Sequence, residues 1–286
     1  MNTDKATNRK TLIISTAFLL LAVVGGVFFY AEVKDTLQLV ESEQQKSSEF
    51  SRLADSRQPV HNILMSDIVA DWNNFVIIDV REPEEYSTGR LKGALNYRLG
   101  ELLNNEQARR DMIQQAGDNK RVFYCHDGDR STLAASTIES EFGGTNYVMD
   151  RGFRQIQDND EYRTYWEGST DILPGGRDYD RTPVLKLDDV TASTLIELSL
   201  PYKPPVRTVN GKTIIHAPIL LMSDAQINAF IASLIESLGT EPVIALCNSK
   251  VSCFSTRIFR YRLEQHGLKL SGFVRVKEPV NHNPSS

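Results

Sequence analysis

The sequence predicts an α/β chain of two related domains, each a parallel sheet flanked by helices, behind an N-terminal transmembrane helix. Three observations predict it. Short apolar runs at Phe75–Val80, Arg121–Tyr124 and Val243–Leu246 have the length and composition of strands buried on both faces, with helix-period patterns between them. One fixed offset brings the two halves of the chain into register. Thr11–Ala31 carries no charged residue.

The charge-free run is 21 residues, about 31 Å as a helix, which is enough to cross a bilayer. Phe29 is too bulky for a cleavage site after Ala31, so a retained anchor is favoured over a cleaved signal peptide. Lys5, Arg9 and Lys10 precede the run, and positive flanks stay in the cytoplasm. Residues 1–10 are therefore expected in the cytoplasm, 11–31 in the lipid bilayer of the cell membrane, and the bulk of the chain outside, in the periplasm or at the cell surface. Residues 32–57 are polar and helix-compatible and read as a spacer.

A first domain is expected over residues 58–166. Ser66 is a good helix N-cap. The strand Phe75–Val80 runs into Arg81-Glu82-Pro83, where Pro83 is expected to stop any regular element. Gly89 and Gly93 bracket a turn-rich connection, and an amphipathic helix ends at Gly117. Residues 167–182 are rich in Gly, Asp and Pro and read as a linker. A second domain is expected over 183–279. Its helix has Ile227, Phe230, Ile231, Leu234, Ile235 and Leu238 at core spacing behind Ser223-Asp224. Phe254–His266 reads as a helix closed by Gly267, and Leu268–Val276 as a strand. Residues 280–286 are a polar tail.

The repeat has an offset of 122 residues, which places Gly89 on Gly211, Gly117 on Gly239, Cys125 on Cys247 and Ser66 on Asp188. The chemistry does not repeat with it. Asp79 falls on Pro201, Gly128 on Lys250 and Arg130 on Ser252. The second copy is therefore expected to be degenerate, with a structural or substrate-shaping role. Cys247 and Cys253 are expected to be inert, with a disulfide or a relay of sulfur as the alternatives.

The candidate chemistry lies in Cys125-His126-Asp127-Gly128-Asp129-Arg130, which follows the strand Arg121–Tyr124 and precedes helix-forming sequence. Backbone N–H groups of such a loop and the next helix N-terminus point at the sulfur and favour the thiolate, which is the nucleophile. Arg130 closes the loop with a fork of donors able to hold an anion. Asp127 and Asp129 set two negative charges against that one positive charge, which disfavours a thiolate and repels anionic substrates. His126 offsets them when protonated, or is simply a solvated loop residue. A buried structural cysteine is the plain alternative.

Asp79-Val80-Arg81 with Glu85-Tyr86, then Gly89 to Asn96 with Arg90 in place of a histidine, then Cys125 to Arg130, occur in that order. This set resembles the rhodanese family of sulfurtransferases over about 100 residues. The stretch Val148–Phe153 is similar to that family's last strand and turn, with Arg151 where one of two glycines is usual. The resemblance implies a sulfurtransferase that carries sulfane sulfur as a persulfide on Cys125, with loop N–H groups stabilising its charge. The loop residues 126–130 would bind substrate, and Asp79 and Arg81 would support them. Sulfur-donor and thiol-acceptor molecules, or cyanide, are the expected partners. Related thiol phosphatases carry one more residue between Cys and Arg, so a phosphatase or arsenate-reductase reading is disfavoured. A non-catalytic rhodanese-like module that binds a partner is the main alternative.

Net charge is −5 with an isoelectric point near 5.6, and no Lys/Arg block occurs beyond the first ten residues, which excludes a nucleic-acid binder. Three cysteines do not make a disulfide scaffold, and the odd count leaves one thiol over, for which Cys125 is the candidate. No His/Cys set has metal-ligand spacing, so neither metal nor cofactor is expected.

Overall fold

The computed structural model describes residues 60–176, 181–198, 212–238, 241–247 and 250–276, together with the backbone but not the side chains of Lys250–Cys253. The expected anchor, spacer and tail, together with Pro201, Gly211 and Gly239, lie outside the described residues. Among the described residues no helix is long and apolar enough to cross a membrane.

The first half runs β1 (His61–Ile63), α1 (Met65–Ala70), β2 (Phe75–Asp79), α2 (Pro83–Thr88), β3 (Gly89–Leu91), β4 (Leu95–Asn96), α3 (Leu99–Asn104) and α4 (Glu106–Ala116). It continues with β5 (Lys120–Tyr124), α5 (Asp129–Phe142), β6 (Asn146–Met149), α6 (Phe153–Asp158) and β7 (Trp166–Gly168). Five strands form a parallel sheet in the order β1-β6-β5-β2-β4, while β3 and β7 pair antiparallel beside it. The second half runs β8 (Val184–Leu185), β9 (Thr194–Glu197), β10 (Thr213–His216), α7 (Asp224–Leu238), β11 (Val243–Cys247), α8 (Lys250–Gln265) and β12 (Leu270–Arg275). Its sheet is also parallel, in the order β10-β9-β11-β12-β8.

Taken in chain order, the two sheets have one strand order. The first strand lies at one edge, then the last, then the cysteine-bearing strand at the centre. Both central strands end on their cysteine side, and the carboxyl ends of parallel strands are where open α/β sheets place ligands. The apolar runs Phe75–Ile78 of β2, Val122–Tyr124 of β5 and Val243–Cys247 of β11 follow from cover on both faces. Ile77, Val122 and Tyr124 pack to one side with Met65, Ile68, Phe153 and Trp166. Ile78, Phe123 and Cys125 pack to the other. That second cluster does not stop at the first half: it continues through Ile196, Ile219, Leu220, Ile227, Ile231, Leu234 and Phe259. Leu195, Ile244, Leu246 and Val274 cover the far side of the second sheet.

Several local expectations are corrected. Pro83 starts a helix rather than stopping one: it occupies the first turn of α2, where its missing N–H has no intrahelical partner to lose. Ser66 is not the cap, because Leu64 is the N-cap residue of α1 and Ser66 is the second residue of the helix. The stretch expected as a linker begins with strand residues of β7 and contributes buried Leu173 to the core. Gly89 belongs to β3 with φ near −179°, and the reason for glycine there is space: a Cβ would lie 2.0 Å from the Ser169 carbonyl oxygen. Cys247, expected to be inert, is disulfide-bonded.

Candidate active site

Cys125 follows the last residue of the central strand β5 and is 0% exposed. Its Sγ accepts the Gly128 N–H at 3.1 Å and lies 3.6 Å from Ser131 Oγ and 3.9 Å from Asp127 Oδ1. Gly128 has φ of +109°, a conformation that glycine adopts without strain, and this twist turns its N–H back to the sulfur. The loop is clamped from below. Phe153 N–H donates to the Cys125 carbonyl at 2.9 Å and Arg154 N–H to that of His126 at 3.3 Å. The clamp requires Gly152, whose φ is +52° and whose added Cβ would lie 2.4 Å from the Cys125 carbonyl oxygen. Arg151, in the place of a usual glycine, also has φ of +52°.

The structure corrects the role read for Arg130. Its guanidinium is directed at Glu85, not into the loop: Nη1 donates to Oε2 at 2.6 Å and Nη2 to Oε1 at 3.0 Å. The pair is buried, at 4% and 0% exposure. Burial works against both charges, but each partner outweighs it, holding Glu85 below the usual carboxylate range and Arg130 above its ordinary value. Arg130 therefore fixes α5 against α2 beneath the loop. The sequence quoted Glu85 only as part of a motif, and no local spacing connects it to a residue 45 positions away.

Asp79 and Arg81 form a buried pair in the same region. Arg81 Nε and Nη2 donate to the Asp79 carboxylate at 2.9 and 2.6 Å, and Nη2 also donates to the Gly89 carbonyl at 2.7 Å. Tyr124 O–H donates to Asp79, which the pairing of Asp79 with Tyr124 between β2 and β5 brings within reach. Arg81 lies between the rings of Tyr124, Phe153 and Trp166, 5.2 to 5.5 Å from their centroids. Burial and the Asp79 charge keep Tyr124 a neutral phenol far above its ordinary pKa.

The remaining loop residues divide. Asp127 has a positive neighbour that the sequence did not reveal, Arg154 of α6 at 3.8 Å. Asp129 is exposed in the first turn of α5. His126 is not a solvated loop residue. Burial pushes its pKa down to about 4, with the neighbouring Arg130 acting in the same direction, so its ring is neutral near pH 7. The ring stacks on Phe254 of α8, with centroids 5.2 Å apart and planes at 20°. Phe254 also lies 5.5 Å from the Arg130 guanidinium carbon. No sequence signal pointed to Phe254, because it acts across the two halves.

The halves are joined next to the site by a cluster of ion pairs. Arg98 pairs with buried Glu82 at 2.9 Å and donates to the Met222 carbonyl at 2.6 Å. Arg262 of α8 approaches Glu82 at 3.2 Å and Glu84 at 2.9 Å. The Arg262 Nε–H is not aimed at the Glu84 oxygen, so only Coulomb attraction remains. Burial and the Glu82 charge win, and the Glu84 pKa rises to about 7.

Residues 65–159 match the family model of the rhodanese-like domain. The thiosulfate sulfurtransferase GlpE of Pseudoalteromonas translucida (strain TAC 125) is 27% identical over 99 residues, 35% of this chain and 79% of that protein. Among solved structures, a Rhodopseudomonas palustris CGA009 protein of unknown function, described as a possible tyrosine phosphatase, is 26% identical, with 37% of this chain and 86% of that one covered and a TM-score of 0.32. The human single-domain sulfurtransferase TSTD1 is 22% identical, with 34% and 96% covered and a TM-score of 0.30. The Cys125 loop, the Asp79–Arg81 pair and Glu85 all lie within the matched residues.

Proposed function

We propose that the chain is a sulfurtransferase acting through a persulfide on Cys125. The observation that carries this is the Gly128 N–H at 3.1 Å from the sulfur, in a loop held by backbone clamps at the end of a central parallel strand. In the first step the Cys125 thiolate attacks the outer sulfur of a donor such as thiosulfate, the S–S bond to the sulfonyl sulfur breaks, and sulfite leaves with the electron pair. In the second step an acceptor thiolate attacks the outer sulfur of Cys125-S-S⁻, and the Cys125 thiolate leaves. The loop N–H groups stabilise charge on the sulfur in both steps. The activity named for the GlpE relative supports this reading. A phosphatase would need a donor fork free for phosphate, whereas that of Arg130 is taken up by Glu85.

The test is mass spectrometry of the purified chain after incubation with a sulfane donor. A gain of one sulfur atom on the Cys125 peptide, absent in Cys125→Ser and retained in Cys247→Ser, supports transfer. No gain with thiosulfate, polysulfide or glutathione persulfide would leave the non-catalytic binding module, which the full burial of Cys125 favours.

We further propose that the second half is a rhodanese-like copy without chemistry of its own, a reading supported by the common strand order of the two sheets. The chain is proposed to be anchored by Thr11–Ala31 with its domains outside the cytoplasm, on the strength of that charge-free run and its basic flank. Protease added to intact spheroplasts should then digest both domains. Protection until lysis would reverse the orientation.

A further inference from the structure

Cys125 has no exposed surface, yet sulfur transfer requires two substrates to reach its sulfur. Its sides are filled by groups of its own loop and of α5: Gly128 N–H, Ser131 hydroxyl and the Asp127 carboxylate. The other half of the molecule brings an aromatic ring to the same loop. The Phe254 ring stacks on His126, the second residue of the loop, and reaches Arg130, the sixth. It thus lies against the ring of the residue next to Cys125 and near the guanidinium that holds α5 beneath the loop. It is only partly buried, and Arg257 also approaches its ring, at 5.7 Å.

We propose that Phe254 is the specificity-determining residue for access to Cys125, a size filter that passes slender sulfur chains and holds back branched or bulky donors and acceptors. This rests on the sulfurtransferase reading for its biological meaning, but the geometry stands without it. A stacked phenylalanine holds its place by ring contact with a neutral imidazole, not by a hydrogen bond, so it tilts rather than breaks away. A thread of sulfur atoms needs a small tilt. A branched thiol needs the ring removed.

The experiment measures alkylation of Cys125 in the full chain by iodoacetamide and by a bulky N-aryl maleimide, each followed on the Cys125 peptide by mass spectrometry. Phe254→Ala should speed the maleimide by about tenfold or more relative to iodoacetamide, the scale on which apolar pockets discriminate by size. Phe254→Trp, which keeps an aromatic cover, should leave the ratio at or below that of the parent chain. NMR titration of the His126 ring should show its pKa rising in Phe254→Ala toward the ordinary value, and not in Phe254→Trp. An unchanged ratio in Phe254→Ala overturns the proposal. So does an equal acceleration of both reagents, which would report a loosened fold and not a filter. Alkylation requires no sulfur transfer, so a chain that filters by size yet never forms a persulfide retains the cover and refutes only the sulfurtransferase reading.

Discussion

Glu85→Gln removes one charge from the pair beneath the loop and turns one of its two acceptor oxygens into a donor. Glu85 accepts from both terminal nitrogens of Arg130 and from the Glu82 N–H that begins α2. Glutamine retains one carbonyl oxygen for these roles, but Arg130 remains buried with no opposite charge at contact distance. Removing one partner of a buried pair costs about 3–5 kcal/mol, and the retained amide places this variant at about 3 kcal/mol. With a urea dependence of about 2 kcal/mol per molar, the midpoint should fall by about 1.5 M. The assay is tryptophan fluorescence, because both tryptophans, Trp72 and Trp166, lie in the first half and report on that half alone. The double variant Glu85→Leu with Arg130→Met, which removes both charges, should recover most of the loss. A shift of less than about 0.3 M in Glu85→Gln would refute the argument, since it would mean that water reaches and solvates Arg130.

Two further outcomes follow from the site. Gly152→Ala puts a Cβ 2.4 Å from the Cys125 carbonyl oxygen at φ of +52°, so it should lower stability by about 1–3 kcal/mol and slow persulfide formation, and wild-type values in both assays would contradict the clamp. The pH dependence combines two opposite signs. His126, lowered to about 4, contributes stability that is present above its ordinary value of 6.5 and lost as pH falls toward 4. Glu84, raised to about 7, contributes stability that is present below the ordinary carboxylate value and lost as pH rises through 7. The two nearly cancel in the parent chain. Glu84→Gln should therefore unmask a loss of about 3 kcal/mol between pH 6.5 and 4, measured as urea midpoints, and a flat profile in that variant would show that His126 is hydrated.

What was legible in the sequence is what short-range pattern encodes. The strands β2, β5 and β11 appear as apolar runs because both of their faces are covered, and the helices α4 and α7 as apolar stripes with a glycine after each. The Cys125 loop was legible because its cysteine, Gly128 and Arg130 fall within six consecutive residues. The direction of Arg130 was not, because Glu85 reaches it only after two strands and two helices have been placed. The same holds for Phe254 and Arg262, which arrive from the second half. Pro83 was misread because a proline that breaks a helix interior is equally suited to its first turn, and the local sequence does not distinguish the two. Asp127 was read as an uncompensated charge because Arg154 lies 27 positions on, past a complete helix and strand.

The apolar cluster shared between the halves sets which parts of the second half can drift under mutation and which cannot. Where the first half has Gly128 and Arg130, the same offset gives Lys250 and Ser252 in the second. Ile219, Ile227, Ile231 and Leu234 are in a different position, because they form a wall of the same core that contains Ile78, Phe123 and Cys125. Shortening any one of them to alanine would open a void costing about 2–5 kcal/mol, and the damage would be felt in the cluster that contains Cys125. Constraint on the interior of the first half thus extends to the interior of the second, because the two are one cluster.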